Sequence, residues 1–314
     1  MLLNIVIVSY NVRNPLSASL DAITPLVRDG VADLWVVDNA SRDDSADWIA
    51  DRYPEAHLIR NTRNRGFAAA ANQGIAASSG EFALLLNPDL VVTSSTVRDM
   101  LAFMDQHPSC GIAGARLIHP DGAPQISAHA FPSPGRWMAE SLFPNRAVRR
   151  PPVSGPVRVD AVPGACMMVR RQMVEETGLL DERFFLYSED VDWCLRACRA
   201  GWEVYLLPDI KAIHHLSQSS ADRPDAGFVA LYHSRDIYMR KHFSVWNRYM
   251  GHIALFVGVV LRTSLWGVWR LLPGGRNTEA TGKFAQNRET LRWYLGGRPA
   301  PCYLDAPPPF HTPS

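Results

Sequence analysis

Residues 3–11 read LNIVIVSYN, an apolar run of strand length that ends in polar residues. A run this rich in β-branched residues is typical of a strand that is buried on both faces of a parallel sheet. Similar short runs alternate with helical periods as far as residue 118, and this alternation predicts repeated βαβ units. We therefore expect a doubly wound α/β domain with a mostly parallel central sheet and flanking helices.

The same patterns predict where individual elements lie. In the first part of the chain, strands are expected at Leu3–Ser9, Leu34–Asp38, His57–Arg60, Phe82–Leu86 and Ile112–Leu117, and helices at Leu16–Val27, Ser45–Arg52, Gly66–Ser78 and Ser94–Gln106. Residues 119–157 are rich in proline and arginine without a period, which indicates a long functional loop. Beyond this loop, strands are expected at Val159–Val169, Glu203–Leu207 and Lys211–His215, and helices at Arg171–Thr177 and Glu189–Ala200.

Composition excludes several classes of protein. The 314 residues are 47% hydrophobic, which is enough for a full core. A net charge of +1 argues against a nucleic-acid partner, because such proteins carry a basic field. The five cysteines include no C-x-x-C pair, so neither a zinc site nor a disulfide framework is expected. The first residues lack the basic region of a signal peptide, and we expect an intracellular protein.

Residues 248–272 are largely apolar but are interrupted by Arg262 and Arg270. On a helix, one side would carry a basic stripe made of Lys241, Arg248, His252, Arg262 and Arg270. This stripe predicts a helix in the membrane interface, with Trp246, Trp266 and Trp269 near the headgroups. The alternative is a helix packed on the catalytic domain with a solvated basic face.

Polar residues follow three predicted strands at the point where each strand ends, which is where open α/β sheets bind ligands. They are Ser9, Tyr10 and Asn11 after the first strand, Asp38, Asn39 and Ser41 after the second, and Asn87 and Asp89 after the fourth. A lone carboxylate such as Asp89 suits a hard cation that bridges a diphosphate. Asp38 and Ser41 equally suit a turn and a helix cap, and Asp89 equally suits a turn after proline.

Together these motifs resemble the family 2 glycosyltransferases of the GT-A fold, in particular the rhamnosyltransferase-like branch. The resemblance covers roughly residues 3–240, and its matching segments are 5–11, 36–41, 64–74, 85–89, 163–171, 178–185 and 188–196. It implies a GT-A glycosyltransferase domain at 1–240, with a nucleotide-sugar half at about 1–118 and an acceptor half at about 119–240. An amphipathic helical extension and tail would follow at 241–314.

The resemblance also implies roles for individual residues. The nucleotide sugar would be held by Ser9, Tyr10, Asn11, Asp38, Asn39, Ser41, Asn64, Arg65, Gly66 and Asn87. Asp89, at the last position of the family's D-x-D motif, would hold Mg²⁺ or Mn²⁺ with His214, while Asn87 stands at the first position. We choose His214 over His215 because neighbouring residues of a strand point to opposite faces.

Glu189 and Asp190 match the family's catalytic E-D pair, with Asp190 as the base. The local sequence alone equally suits a helix start that Ser188 caps, with acidic residues in its first turn.

The expected activity is inverting, metal-dependent transfer of a sugar to a saccharide or lipid-linked saccharide in cell-surface glycan synthesis. L-rhamnose from dTDP-rhamnose is the favoured donor, and the alternatives are a UDP-hexose, UDP-galactofuranose or an inactive nucleotide-sugar-binding scaffold. A nucleotide-dependent oxidoreductase is not expected, because no G-x-G-x-x-G turn follows the first strand. We expect a cytoplasmic protein that contacts the inner face of the cell membrane peripherally through residues 246–272.

Overall fold

The computed structural model describes residues 2–143, 154–215, 224–270 and 278–297. The chain divides into two compact units. The sheet unit comprises Met1–Phe131, Arg150–Phe184 and Glu189–Ala221, and the helical unit comprises Pro132–Arg149, Phe185–Ser188 and Asp222–Ser314. The domain boundary near residue 240 stays a prediction.

The elements are numbered in chain order. The strands are β1 (Leu3–Ser9), β2 (Ala32–Asp38), β3 (His57–Arg60), β4 (Phe82–Leu86), β5 (Leu90–Val91), β6 (Cys110–Ile118), β7 (Val157–Arg158), β8 (Cys166–Arg170) and β9 (Glu203–His214). The helices are α1 (Arg13–Arg28), α2 (Ser45–Arg52), α3 (Phe67–Ala77), α4 (Ser94–Gln106), α5 (Pro134–Leu142), α6 (Arg171–Thr177), α7 (Glu189–Arg199), α8 (Pro224–His242), α9 (Val245–Trp269) and α10 (Thr278–Leu295).

The sheet has the strand order β3-β2-β1-β4-β8-β6-β9-β5, and β7 pairs with β9. The strands β1 to β4 pair in parallel, as predicted for the first half of the chain. In contrast, β8 lies antiparallel between β4 and β6, so that Cys166 at its start pairs with Leu86 at the end of β4. This reversal brings the residues before β8 to the edge where ligands bind.

Three sequence-based element predictions are wrong in detail. The strand expected at Val159–Val169 is replaced by the short strands β7 and β8. The strands expected at Glu203–Leu207 and Lys211–His215 form one strand, β9, whose pairing with β6 skips Pro208–Ile210, because proline has no N–H for the ladder. The long loop expected at 119–157 contains helix α5, which Ser133 caps by accepting a hydrogen bond from the Arg136 N–H.

Both faces of β1 are buried. Ile5 and Ile7 belong to the core cluster that contains Leu20 of α1, whereas Val6 belongs to the cluster that contains Ile75 of α3. Helix α3 lies unusually close to the strand, since a Cβ on Gly74 would come within 2.5 Å of Val6 Cγ1. The small residues of the Ala-rich α3 thus allow its N-terminus to lie near the ligand-binding edge.

The helical unit has its own core, in which Trp137 of α5, Tyr232 and Met239 of α8, Leu255 of α9 and Trp293 of α10 are buried together. By length and composition α9 is apolar enough to cross a membrane, with a mean hydropathy of 1.4 in its most apolar window.

The predicted basic stripe does not form one solvated face, because Lys241 lies on α8 and only Arg248 among its members is exposed. His252 Nε2 lies 3.0 Å from Asp236 Oδ1 of α8. The Arg262 guanidinium contacts the Tyr232 hydroxyl and the Asn287 amide oxygen. These polar side chains face the interior of the helical unit, so the stripe is not a continuous exposed surface. The exposed side chains of α9 are instead largely apolar and aromatic, with Trp246 and Leu265 both 68% exposed.

Candidate active site

The loops that follow β1 and β2 are joined into one edge. The Asn39 N–H donates to Ser9 O at 2.8 Å, the Asn11 N–H donates to Ser41 Oγ at 3.0 Å, and the Arg42 N–H donates to Asn11 Oδ1 at 2.7 Å. Asn11 and Ala40 both have positive φ, of 54° and 66°, a conformation that non-glycine residues rarely adopt. The hydrogen bonds hold this strained backbone in place and make the edge rigid.

Asp38 is buried at the end of β2, and its two carboxylate oxygens differ. Oδ2 accepts a hydrogen bond from the Ser41 N–H at 3.1 Å, which is the turn-forming role that the sequence also allowed. Oδ1 is buried without a hydrogen-bond partner among the described residues, as is the nearby Ser9 Oγ. An unsatisfied buried acceptor costs about 1–3 kcal/mol, so Asp38 Oδ1 is suited to accept from an N–H of a bound ligand.

Asn39 and Asn64 support the loop that precedes α3. The Asn39 amide donates to Asn64 Oδ1 at 2.9 Å and to Gly66 O at 3.2 Å, and it accepts from the Arg65 N–H at 3.0 Å. Gly66 has φ 82°, which favours glycine at this position. The side chain of Asn39 therefore fixes the loop that carries Arg65. The Arg65 guanidinium lies 3.7 Å from Glu182 and is partly exposed at this edge.

Asp89 and His214 come together because β5 pairs antiparallel with the end of β9, with Leu90 opposite His214. His214 Nε2 lies 3.3 Å from Asp89 Oδ1, and both side chains are buried. The neighbouring His215 is exposed and contributes only its backbone N–H, which donates to Asp89 O. The structure therefore places His214, and not the His215 side chain, beside Asp89.

A carboxylate suits Mn²⁺ or Mg²⁺, and an imidazole suits a transition-metal ion, so this pair fits Mn²⁺ better than Mg²⁺ as part of a larger ligand set. Among the described residues no cluster of three or more His, Cys, Asp or Glu side chains could hold a metal ion. Asp89 and His214 fit as two protein ligands, and the remaining ligands would be water and phosphate oxygens of a substrate.

Asp190 reaches the same edge through the segment that precedes β8. This segment comprises residues 163–166. Ala165 O accepts a hydrogen bond from the Asn87 N–H at 2.9 Å, and the neighbouring Gly164 N–H donates to Asp190 Oδ2 at 3.0 Å. The Val191 N–H donates to Asp190 Oδ1 at 2.7 Å. The segment thus connects the strand end that leads to Asp89 with the carboxylate of Asp190, and backbone donors orient that carboxylate.

Glu189 is chemically different from its neighbour. Burial raises the pKa of this carboxyl well above its usual range, and the charges of Asp190 and Asp192 raise it further. The raised pKa favours the protonated form of Glu189, so Asp190 is the better candidate for the base of the pair. Glu189, Asp190 and Asp192 lie in the first turn of α7, as the helix-start alternative predicts. Ser188 has φ 67°, whereas a capping residue usually takes an extended conformation, and its capping role stays a prediction.

Sequence reasoning did not find Gln125, which lies inside the predicted loop. Its amide oxygen lies 3.0 Å from His214 Nδ1, and its amide nitrogen donates to His214 O at 2.7 Å. The available signal was the sequence His119-Pro120-Asp121-Gly122, a turn that follows directly on β6.

Solved structures with a similar fold are glycosyltransferases. The mannosyltransferase PcManGT from Pyrobaculum calidifontis, solved with GDP-Man and Mn²⁺, has a TM-score of 0.58 at 14% identity, over 95% of this chain and 88% of that one. GalNAc-T7, solved with UDP, GalNAc and Mn²⁺, has a TM-score of 0.59 at 14% identity, over 94% of this chain and 56% of that one. These similarities confirm the predicted GT-A fold.

Curated relatives are similar over most of their length. The N-acetylglucosaminyl-diphospho-decaprenol L-rhamnosyltransferase of Mycobacterium tuberculosis is 28% identical over 84% of this chain and 94% of the relative. The dTDP-rhamnosyl transferase RfbF of Shigella flexneri is 26% identical over 81% of this chain and 82% of the relative. The family model described as "Glycosyl transferase family 2" matches residues 4–178, more than half of the chain. The chain belongs to glycosyl transferase family 2 and is a glycosyltransferase.

Proposed function

We propose that this enzyme transfers L-rhamnose from dTDP-rhamnose, with inversion, to the saccharide of a lipid-linked acceptor in cell-surface glycan synthesis. The observation that carries this proposal is the backbone segment 163–166, which connects the strand end before Asp89 with the carboxylate of Asp190. A donor diphosphate and an acceptor hydroxyl can thereby meet at one edge of the sheet. The names of the two curated relatives support rhamnose as the sugar and a lipid diphosphate as the carrier.

The chemistry follows from the positions of the side chains. Asp190 would take the proton of the acceptor hydroxyl while the hydroxyl oxygen attacks the anomeric carbon and the bond to the diphosphate breaks. Asp89 and His214 would hold Mn²⁺ or Mg²⁺, which supplies positive charge to the leaving diphosphate when it is bound. Asp38 Oδ1 would accept from the imide N–H of the pyrimidine. Arg65 and the N-terminus of α3 are suited to the phosphates.

A donor panel tests this function. We expect the purified protein to release dTDP from dTDP-rhamnose when a synthetic N-acetylglucosaminyl-diphospho-lipid is present, and to use UDP-glucose and UDP-galactofuranose at least tenfold less well. Chromatography of the labelled product measures transfer. Preference for a UDP sugar would contradict the donor assignment, and transfer from none of the donors would favour an inactive binding protein.

A second test changes a residue of the proposed nucleotide pocket. Asp38→Asn keeps an oxygen for the Ser41 N–H but presents an amide donor to the pyrimidine. We expect it to weaken dTDP binding by about 10–100-fold, the effect of one unmatched buried polar group. Asp51→Asn, at an exposed position of α2, is the matched control. Calorimetry that finds the same dTDP affinity in Asp38→Asn and Asp51→Asn would remove Asp38 from the nucleotide site.

We also propose that the enzyme lies peripherally on the inner face of the cell membrane through α9, within the predicted range 246–272, of which residues 271 and 272 lie outside the described residues. The most exposed apolar side chains lie toward the two ends of the helix. They are Val245, Trp246 and Tyr249 at one end, and Leu265, Val268 and Trp269 at the other. Aromatic and aliphatic groups of this kind favour the headgroup boundary.

This attachment should depend on apolar contact more than on charge, because His252 and Arg262 contact partners within the helical unit. Replacing both Leu265 and Val268 by Glu should lower binding to lipid vesicles at least about tenfold, since each buried aliphatic side chain contributes about 1.5–3 kcal/mol. Arg248→Glu, at an exposed position of α9, tests the electrostatic alternative. Co-sedimentation across a salt series measures both variants. If Arg248→Glu and high salt abolish vesicle binding but the replacement of Leu265 and Val268 does not, the apolar mechanism is contradicted.

A further inference from the structure

A short turn after β6 brings Gln125 to the candidate metal site. The Gly122 N–H donates to His119 O at 2.9 Å, and Gly122 has φ 84°. The chain then returns alongside β6, where the Gln125 N–H donates to Leu117 O at 2.9 Å. The Leu117 N–H in turn donates to Ser127 Oγ at 2.9 Å. The backbone of Gln125 is therefore held against the last residues of a central strand.

The orientation of the Gln125 amide follows from its two contacts with His214. The carbonyl oxygen of His214 can only accept a hydrogen bond, so the group 2.7 Å away must be the amide nitrogen of Gln125. The other amide atom, Oε1, then lies 3.0 Å from His214 Nδ1. An amide oxygen can only accept, so Nδ1 must carry the proton of this hydrogen bond.

This tautomer determines what His214 offers on its other side. A neutral imidazole with its proton on Nδ1 has a lone pair on Nε2, the atom that lies 3.3 Å from Asp89 Oδ1. A metal-ligating imidazole is neutral, and in that state Nε2 and Asp89 Oδ1 both offer electron pairs to one cation, whereas a second proton on Nε2 would join the two groups in an ion pair. Their separation is close to the roughly 3 Å expected between neighbouring ligands of one octahedral cation, and it suits a shared metal ion.

We propose that Gln125 is a positioning residue for the metal ligand His214, because it selects the Nδ1-protonated tautomer and fixes the ring plane. The proposal rests on the proposed function, in which Asp89 and His214 hold the metal. Gln125 does not touch the reacting atoms itself. Partners of this kind, which hydrogen-bond to a ligating histidine, typically change metal affinity by about 10–100-fold when they are removed.

The test measures the metal directly. Mn²⁺ is titrated into the full chain in the presence of dTDP, and pulsed electron paramagnetic resonance records whether a directly coordinated nitrogen is present. We expect a nitrogen coupling in the parent that disappears in His214→Ala. Gln125→Met keeps the side-chain volume but lacks the amide, and it should weaken Mn²⁺ binding by about 10–100-fold with a reduced nitrogen coupling. Metal-free dTDP binding should stay at the parental value.

Two further variants control for structure. Gln125→Glu retains an oxygen that accepts from Nδ1, so it should keep the nitrogen coupling that Gln125→Met loses. Gln172→Leu, at an exposed position of α6, should leave Mn²⁺ affinity unchanged. Parental Mn²⁺ affinity and nitrogen coupling in Gln125→Met, or equal loss in Gln125→Met and Gln125→Glu, would overturn the positioning role alone. If the nitrogen coupling of the parent is unaltered in His214→Ala, the metal assignment is overturned, and the proposal with it.

Discussion

Replacing Asp190 by Asn is expected to lower sugar transfer by about 10²–10⁴-fold, the usual contribution of a general base. Asn keeps the shape of the side chain and an oxygen for one of the two backbone donors, but it cannot take the acceptor proton. Binding of dTDP-rhamnose and Mn²⁺ should stay near the parental value, because Asp190 is not among the proposed donor ligands. Single-turnover transfer and calorimetry on the same preparations measure the two quantities.

The adjacent Glu189 supplies a matched control. Burial raises the pKa of Glu189 and so favours its uncharged form, and Glu189→Gln introduces an uncharged side chain of the same size. We expect a loss of transfer far smaller than in Asp190→Asn. Parental transfer in Asp190→Asn would show that this carboxylate is not the base. An equal loss in the two variants would indicate that the segment is sensitive to any change of hydrogen bonding.

Replacing Asp89 is expected to produce the opposite pattern, in which donor binding itself fails. Asp89→Ala removes one of two proposed protein ligands, so metal-dependent dTDP affinity should fall by at least about 100-fold, beyond the roughly 10–100-fold that outer partners contribute. Transfer should recover in part as Mn²⁺ is raised, because the remaining ligands still form a weaker site. Calorimetry across a metal titration measures this recovery.

Asp51→Asn, exposed on α2, also serves as the control for Asp89, since it changes net charge without touching the candidate site. Metal-dependent affinity that is equal in Asp89→Ala and Asp51→Asn would mean that the metal is held elsewhere. Loss of dTDP binding that Mn²⁺ does not restore, together with a lowered melting temperature, would instead indicate a structural role for the buried carboxylate.

The first half of the fold was predictable because its signals are local. Strands such as Leu3–Ser9 and Phe82–Leu86 are short apolar runs with polar exits, and parallel pairing follows from alternation with helices. The position of β8 was not predictable in this way. It depends on which strand edge remains open after β4 and β6 have formed, and no local pattern encodes that choice.

The candidate site shows the same division. The polar residues after β1, β2 and β4 could be recognised from their position at strand ends, whereas the contact of Gln125 with His214 joins residues that are far apart in the chain. The roles of Asn39 and Asn64 in fixing a loop also required coordinates, since an amide that binds a ligand and one that binds backbone look alike in sequence.

Helical periodicity had a similar limit for α9. It correctly indicates that His252 and Arg262 share one side of the helix, but not which side faces the interior. Burial decided the question, because buried hydrogen-bond partners on α8 and α10 satisfy those polar groups within the helical unit.

The reversed direction of β8 also limits how this enzyme can be recombined with its relatives. A crossover near residue 118 would place β4 and β6 in one parent and β8, which pairs with both, in the other. In every such chimaera the junction between the two parents would lie in the middle of the sheet, where side chains from both parents must pack together. A fragment that ends there would leave one edge of β4 unpaired and β6 without either of its partner strands, and open strand edges invite aggregation. We therefore expect grafted loops to disturb the sheet less than exchanged halves.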